Sequence, residues 1–143
     1  MSKRVFMSLM VVLPALLAGC TTKSAVFEGR TPEQVWTAMV AIAEEPRYDN
    51  WVVVENNVWV DGVFDRIEIQ RSLKRDHHRH GSKPVRETEH LELQAVLERT
   101  EPPVVTVTVR NAMIRGKGLM AIDHFLAELG GLLDPDETTM AAE

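Results

Sequence analysis

Cysteine is nearly absent from this sequence, since Cys20 is the only one among 143 residues. A lone cysteine excludes an internal disulfide, although small exported domains often depend on such bridges. Long apolar runs are missing too. The longest, over residues 5–18, has about 14 residues and would rise only about 21 Å as a helix, against roughly 30 Å for the hydrocarbon core of a bilayer. A permanent transmembrane span is therefore not expected.

An excess of basic residues is also missing: 16 Lys and Arg stand against 21 Asp and Glu, and the formal charge is −5. Nucleic acid is therefore not an expected partner. The chain has no nucleophile-elbow motif, and Gly116-Lys117-Gly118 lacks the spacing of a phosphate loop and is interpreted as a flexible linker. Asp123 and His124 are neighbours on a predicted helix and point about 100° apart, so they do not form a hydrolytic pair. We expect a non-catalytic protein without a cofactor.

What the N-terminus does have is the order of a secretory signal peptide. Lys3 and Arg4 precede the apolar run, and small residues precede Cys20. An ordinary signal peptide with an incidental cysteine is one interpretation. The segment Leu17-Ala18-Gly19-Cys20, however, resembles the lipobox of bacterial lipoproteins, at the position where a lipobox occurs.

The lipobox resemblance implies three modifications of the chain. Cleavage between Gly19 and Cys20 removes the signal peptide (residues 1–19), diacylglycerol is attached to the Cys20 thiol, and the new N-terminus is acylated. Two or three acyl chains hold a protein to a bilayer essentially permanently. Thr21, rather than Asp, follows the cysteine. Under the usual sorting rule for such lipoproteins, Thr21 indicates the periplasmic face of the outer membrane.

The rest of the sequence predicts one domain, over residues 31–133, between a short tether that begins with the lipidated cysteine (20–30) and a flexible acidic tail (134–143). A helix is predicted over 32–45, where Thr31 and Gln34 can form a capping box. A second is predicted over 119–133, where apolar residues recur at spacings of three and four.

Four strands are expected between the helices, and residues 25–27 would add a brief fifth. The clearest are 91–98 and 104–110, in which apolar and polar residues alternate. Asp61-Gly62 is the stronger signal for the first hairpin turn, with Asn56-Asn57 as the alternative turn or a strand irregularity. The predicted fold class is α+β: a two-layer domain with a four-stranded or five-stranded antiparallel sheet packed against two helices.

This pattern resembles small bacterial lipoproteins whose single domain has no assigned function. The residues that carry the resemblance are Glu33-Gln34-Val35-Trp36, the Val-rich strand at 51–54 and the strand at 104–110. A looser similarity is to the helix-grip domains of BamC, an outer-membrane assembly lipoprotein, in which a sheet grips a long C-terminal helix. Such a resemblance implies a fold and no particular activity.

Residues 74–85 have no apolar side chain before the last position, and this predicts a long loop or hairpin tip. Cations concentrate there, with Asp76 as the one nearby acid. Anionic lipid or an acidic envelope protein would fit such a surface, whereas a tip that only keeps the hairpin soluble is the alternative. The residues expected to contact an anionic partner are Lys74, Arg75, Arg79 and Lys83, with Arg71 and Arg86 in the same island.

The same stretch contains a His-rich loop over residues 76–80. His77, His78 and His80 are weak candidates for zinc or copper ligands, because imidazole is a common metal ligand. The neighbouring cations and the missing cysteine disfavour a metal, so we expect none. The predicted function is a membrane-anchored bacterial lipoprotein that binds a protein or envelope component near the membrane, through its exposed sheet face or its basic tip. A metal-binding or small-ligand-binding module at 76–80 is the alternative.

The three tryptophans are predicted to pack in the core, because each lies in a predicted helix or strand. A ligand cage or interface anchors would be the functional alternative. The residues concerned are Trp36, Trp51 and Trp59.

Overall fold

The computed structural model describes residues 21–111 and 115–134, which form five strands and two helices. The five strands make one antiparallel sheet in the order β1-β5-β4-β3-β2. The predicted two-layer α+β fold is therefore confirmed, with the larger number of strands. The elements are β1 (Thr22–Val26), α1 (Pro32–Glu44), β2 (Val52–Asp61), β3 (Arg66–His77), β4 (Val85–Glu98), β5 (Val104–Val109) and α2 (Arg115–Leu133).

The predicted signal peptide, Gly19, Cys20 and the tail beyond residue 134 lie outside the described residues. Within the part of the chain that the structure describes, no helix is both long and apolar enough to cross a bilayer.

The helix α1 begins as its sequence indicates. The Thr31 hydroxyl accepts a hydrogen bond from the Gln34 backbone N–H at 3.2 Å, and the Gln34 side chain accepts one from the Thr31 N–H at 3.0 Å. This reciprocal pair satisfies two backbone donors that would otherwise lack partners. Pro32 occupies the first turn, where its missing N–H costs nothing.

The core lies between one face of the sheet and the two helices. Alternate residues of β3, β4 and β5 point towards the helices, and each large aliphatic side chain buried in this way stabilises the fold by about 1.5–3 kcal/mol. The buried residues at the centre are Val35 and Met39 of α1, Ile67 and Ile69 of β3, Leu93 and Ala95 of β4, Val105 and Val107 of β5, and Ile122 and Leu129 of α2.

The edge strand β1 begins earlier than the brief strand predicted at residues 25–27, and it includes residues 22–24, which were expected to belong to a polar tether. Residues 22–26 pair with β5 from Thr22 opposite Thr108 to Val26 opposite Val104, and the Val109 N–H donates to the Thr21 carbonyl at 2.9 Å. Small polar side chains obscured this part of the strand in the sequence, because the residues of β1 are almost all exposed and need no apolar pattern. The hydrogen bonds of the sheet therefore reach back as far as Thr21.

Strand β2 reverses near Asp61-Gly62, as predicted, although the turn is longer than two residues. The Asp61 carboxylate accepts hydrogen bonds from the Val63 and Phe64 N–H groups at 3.1 and 3.2 Å, and Asp65 adopts a φ of 50°. The strand irregularity occurs at Val54 rather than at the asparagines.

The helix α2 starts at Arg115, four residues earlier than predicted. The segment interpreted as a flexible linker, Gly116-Lys117-Gly118, is therefore its first turn. Gly118 is buried beside Thr21 and Val109, so the start of α2 packs on the start of β1.

Candidate functional site

The hairpin of β3 and β4 projects beyond the part of the sheet that the helices cover. Its strands stay paired as far as His77 opposite Val85, so the connection is only residues 78–84 rather than a loop over 74–85. From the Leu93–Val109 pair to Val85, β4 extends by eight residues, or about 27 Å. The predicted tip is therefore present, but its two sides, residues 74–77 and 85–86, are paired strand rather than loop. We call residues 74–86 the basic tip.

The cations of the basic tip differ in their partners. Arg75 Nε lies 2.6 Å from Glu87 Oε2, and Arg86 Nε lies 3.2 Å from Asp76 Oδ1. The Arg75 hydrogen bond is the main reason that the pKa of Glu87 is lowered from its ordinary value. Arg75 therefore contributes less to the tip's charge than its sequence position indicates.

The remaining tip cations are Lys74, Arg79 and Lys83. They take part in none of the ion pairs among residues 21–111 and 115–134, and Arg79 and Lys83 are exposed. Residues 77–84 include no acid. The outermost part of the hairpin is therefore uniformly cationic.

The three tip histidines are exposed. The described residues contain no group of three or more His, Cys, Asp or Glu side chains placed to hold a metal ion. Nothing in the tip's geometry brings His77, His78 and His80 together as a ligand set.

The basic tip and the start of the domain lie at the same end of the sheet. Strand β1 begins beside the end of β5, so Thr21 is level with Val109 and with Leu93 of β4. From this level, β4 continues towards its own start at the basic tip. We call this the tip end; the turn at residues 62–65 marks the opposite, turn end. The first described residue, Thr21, therefore lies at the tip end.

A cavity of about 350 Å³ opens at the tip end, beneath the projecting hairpin. Its walls are largely apolar, whereas its charged residues are already paired: Arg75 with Glu87, and Lys117 with Glu89 at 3.7 Å. No net charge is left to select a charged ligand. The lining residues are Tyr48, Trp51, Leu73, Arg75, Glu89, Leu91, Lys117, Met120, Ala121 and His124.

Arg71 was predicted to belong to the exposed basic island, and it does not. Only 2% of it is exposed. Its guanidinium donates to Asn56 Oδ1 at 2.8 Å, to the Tyr48 hydroxyl oxygen at 2.9 Å and to the Ala43 carbonyl at 3.1 Å. The irregularity at Val54 aligns Asn56 with Arg71 on the inner face of the sheet. Arg71 is therefore a cap for the C-terminus of α1, where a cation is favoured.

Beside this cap, the His124 ring stacks on the Tyr48 ring with centroids 4.3 Å apart. Burial is the main cause that raises the pKa of Tyr48, against the opposing effect of Arg71. Burial also raises the pKa of Glu128, whose Oε1 accepts the Arg47 N–H at 2.9 Å. These contacts attach the segment after α1 to α2.

As the sequence indicated, Asp123 does not orient His124. The Asp123 carboxylate pairs with Lys23 of β1, while the His124 ring contacts the Arg47 carbonyl at 2.7 Å. The two neighbouring side chains therefore serve separate contacts.

The tryptophans are only partly core residues. Trp36 is half-buried against the core, as predicted. Trp51 lines the cavity, with the Arg75 guanidinium 4.4 Å from its ring centroid. Trp59 is 52% exposed on the outer face of β2, so the prediction of core packing is wrong there. Successive side chains of a strand point to opposite faces of the sheet. Val58 and Val60 point to the inner face, so Trp59 between them points outward.

No described helix covers the outer face of the sheet, which is polar. Across β1 and β5, hydroxyl groups pair at 3.0 Å (Thr22 with Thr108) and 2.8 Å (Ser24 with Thr106). At the turn end, Val63 and Phe64 are 86% and 71% exposed. The predicted open sheet face thus exists, and it carries little charge near β1.

Comparisons with known proteins give only distant structural likenesses. No family model matches the chain, and no curated protein matches it. One similar solved structure is protein CV1439 from Chromobacterium violaceum, 14% identical, with a TM-score of 0.40 over 81% of this chain and 99% of that one. Another is Ara h 8.0201, 10% identical, with a TM-score of 0.38 over 81% and 98% of the two chains.

Proposed function

We propose that this chain is a bacterial envelope lipoprotein whose single α+β domain is anchored through lipidated Cys20 and held directly against the membrane. Signal features at residues 1–20 supply the anchor. The proposed location is the periplasmic face of the outer membrane, on the sorting rule that Thr21 fits. The proposed role is non-catalytic: the domain binds an envelope component close to the bilayer.

One observation carries the proposal beyond the lipobox, namely that β1 begins at Thr22. A chain with a long polar linker would let its domain diffuse many ångströms from the lipid. Here the hydrogen-bonded sheet starts one residue after Cys20, since the Thr21 carbonyl already accepts the Val109 N–H. The anchor would thus be attached to the sheet itself, and the tip end would be the one near the bilayer.

A metal-binding module at 76–80 finds no supporting geometry in the described tip. A small-ligand module is not favoured by the cavity either, because its charged residues neutralise one another. Binding through surfaces at the tip end is the interpretation that the contacts support best.

The anchor is tested by fractionating cells that express Cys20→Ser. The wild-type protein should sediment with membranes and resist washing with high salt, because acyl chains hold it through hydrophobic burial rather than through charge. The variant should not yield a processed, lipid-bearing form that resists the same wash. The matched control is Thr21→Ser, which keeps the cysteine and should behave as wild type. Salt-resistant membrane attachment of a processed Cys20→Ser protein would contradict the proposal.

A further inference from the structure

The basic tip and the proposed anchor share one end of the molecule. We propose that the tip is a second membrane contact: Lys74, Arg79 and Lys83 bind anionic phospholipid headgroups beside the site at which Cys20 is anchored. The inference rests on the proposed function, because the anchor at Cys20 places the tip at the bilayer.

Reach and charge together restrict how the anchored domain can lie. The hairpin extends about 27 Å beyond the level of Thr21, and no flexible linker separates Thr21 from the anchor. A cationic tip cannot enter the hydrocarbon core at acceptable cost. The sheet must therefore tilt, and the hairpin then lies along the headgroup layer.

The distribution of charge in the domain favours an orientation in which the hairpin lies along the headgroup layer. Arg79 and Lys83 are exposed, are accompanied by no acid in residues 77–84, and take part in none of the described ion pairs. The full sequence is acidic, with a formal charge of −5, and loss of Lys3 and Arg4 with the signal peptide would make the anchored chain more acidic still. The rest of the domain is therefore repelled by an anionic surface. Attraction at one end and repulsion elsewhere orient a molecule.

The strength of such a contact suits an anchored protein. Each Lys or Arg near an anionic surface strengthens binding about five-fold, so two or three cations bind weakly alone. A lipid anchor keeps the tip at a high effective concentration near the headgroups, so a contact that is weak on its own is enough to hold the tip at the surface. An acidic protein partner would have to diffuse to the tip, whereas the lipid headgroups lie beside the anchor from the start. Headgroups are therefore the favoured partner.

The test uses the lipidated protein in vesicles, with a fluorophore on Ser82→Cys. Because Cys20 is the only native cysteine and carries the lipid, the new thiol is unique. Quenching by a phospholipid with a nitroxide headgroup reports how often the tip touches the surface. Vesicles of phosphatidylcholine alone are compared with vesicles that contain equal parts of phosphatidylglycerol.

We expect stronger quenching on the anionic vesicles, and the difference should vanish as salt rises from about 0.1 M to about 1 M. Arg79→Gln with Lys83→Gln should lower the ratio of docked to undocked tip roughly twenty-five-fold. Arg79→Lys with Lys83→Arg keeps the charge and should leave the ratio unchanged. Arg30→Gln with Arg66→Gln removes the same charge at the turn end and should also leave it unchanged.

Two failures are distinguishable. Protein that stays on both kinds of vesicle while its label ignores lipid charge contradicts the tip contact alone, and it would leave an acidic protein as the partner for these cations. Protein that washes off both kinds of vesicle contradicts the anchoring on which the inference rests.

Discussion

The two halves of the β3–β4 hairpin are made by the same strands and yet follow different rules. In the covered half, Ile67 and Ile69 are buried opposite Ala95 and Leu93 beneath the helices. In the projecting half, beyond Leu73 and Glu89, charged side chains pair across the strands, and neither of the two described helices lies over them. Burial determines the covered half, because misplacing one residue there exposes apolar surface. The projecting half is free of that constraint, and its cations outside the described ion pairs, Arg79 and Lys83, are exposed for binding.

The difference between the covered and projecting halves is tested most directly by truncating one side chain in each half. Ile69→Ala should lower the free energy of unfolding by about 2–5 kcal/mol, because the cavity left between sheet and helices cannot collapse fully. Arg79→Ala, in the projecting half, should change it by no more than about 0.5 kcal/mol. Urea unfolding of both variants measures the two values. Equal losses would show that the tip is part of the folding core.

Arg71 lies where the two halves meet, and its substitution sharpens the boundary between them. Arg71→Ala should cost about 3 kcal/mol, because it leaves the Asn56 and Tyr48 side chains and the end of α1 without their shared donor. Arg75→Ala, four residues further along the same strand, breaks an exposed pair with Glu87 and should cost under about 1 kcal/mol. Unfolding curves in urea test the order. A larger loss for Arg75→Ala would place the boundary further out.

The smallest expected effect is a difference in pH dependence. The pKa of Glu128 is raised by burial, so its ionisation opposes folding: its contribution is full below its ordinary value of 4.5 and is lost as pH rises through the folded value. The pKa of Glu87 is lowered by Arg75, so its contribution is present above 4.5 and is lost as pH falls through the folded value. The two carboxyls therefore respond to pH in opposite directions.

Glu128→Gln should accordingly gain stability relative to wild type as pH rises above 4.5. Glu87→Gln should lose stability relative to wild type at neutral pH and match it in acid. Urea midpoints measured across this range give the signs. Parallel curves for the two variants would contradict the assigned environments.

Elements determined by local hydrogen bonding and by burial could be predicted from the sequence, whereas elements that depend on exposed or tertiary contacts could not. The helix start at Thr31 and the strand pattern of residues 91–98 were readable because a capping box and a period of two are local consequences of hydrogen bonding and burial. The brief strand at residues 25–27 was predicted, but its extension back to Thr22 was not, because the added residues are small, polar and exposed at the edge of the sheet. The first turn of α2 escaped because its glycines indicate a linker by propensity, although the turn packs on Thr21.

The candidate site was predictable in composition and not in geometry. Cations at residues 74–83 are visible in the sequence, but the division between Arg71, buried at the helix end, and Arg79, exposed at the tip, depends on strand register. That register includes the irregularity at Val54, which no sequence signal marked. The proximity of the tip to the start of the domain is likewise a consequence of strand order.

The most direct test of lipid anchoring is the mass of the N-terminal peptide of the protein purified from membranes. We expect a peptide that begins at Cys20 and carries diacylglycerol on its thiol, with a further acyl group on its new amino terminus. A peptide that begins elsewhere, or one that begins at Cys20 with an unmodified thiol, would contradict the lipid anchor and, with it, the orientation of the basic tip towards the membrane.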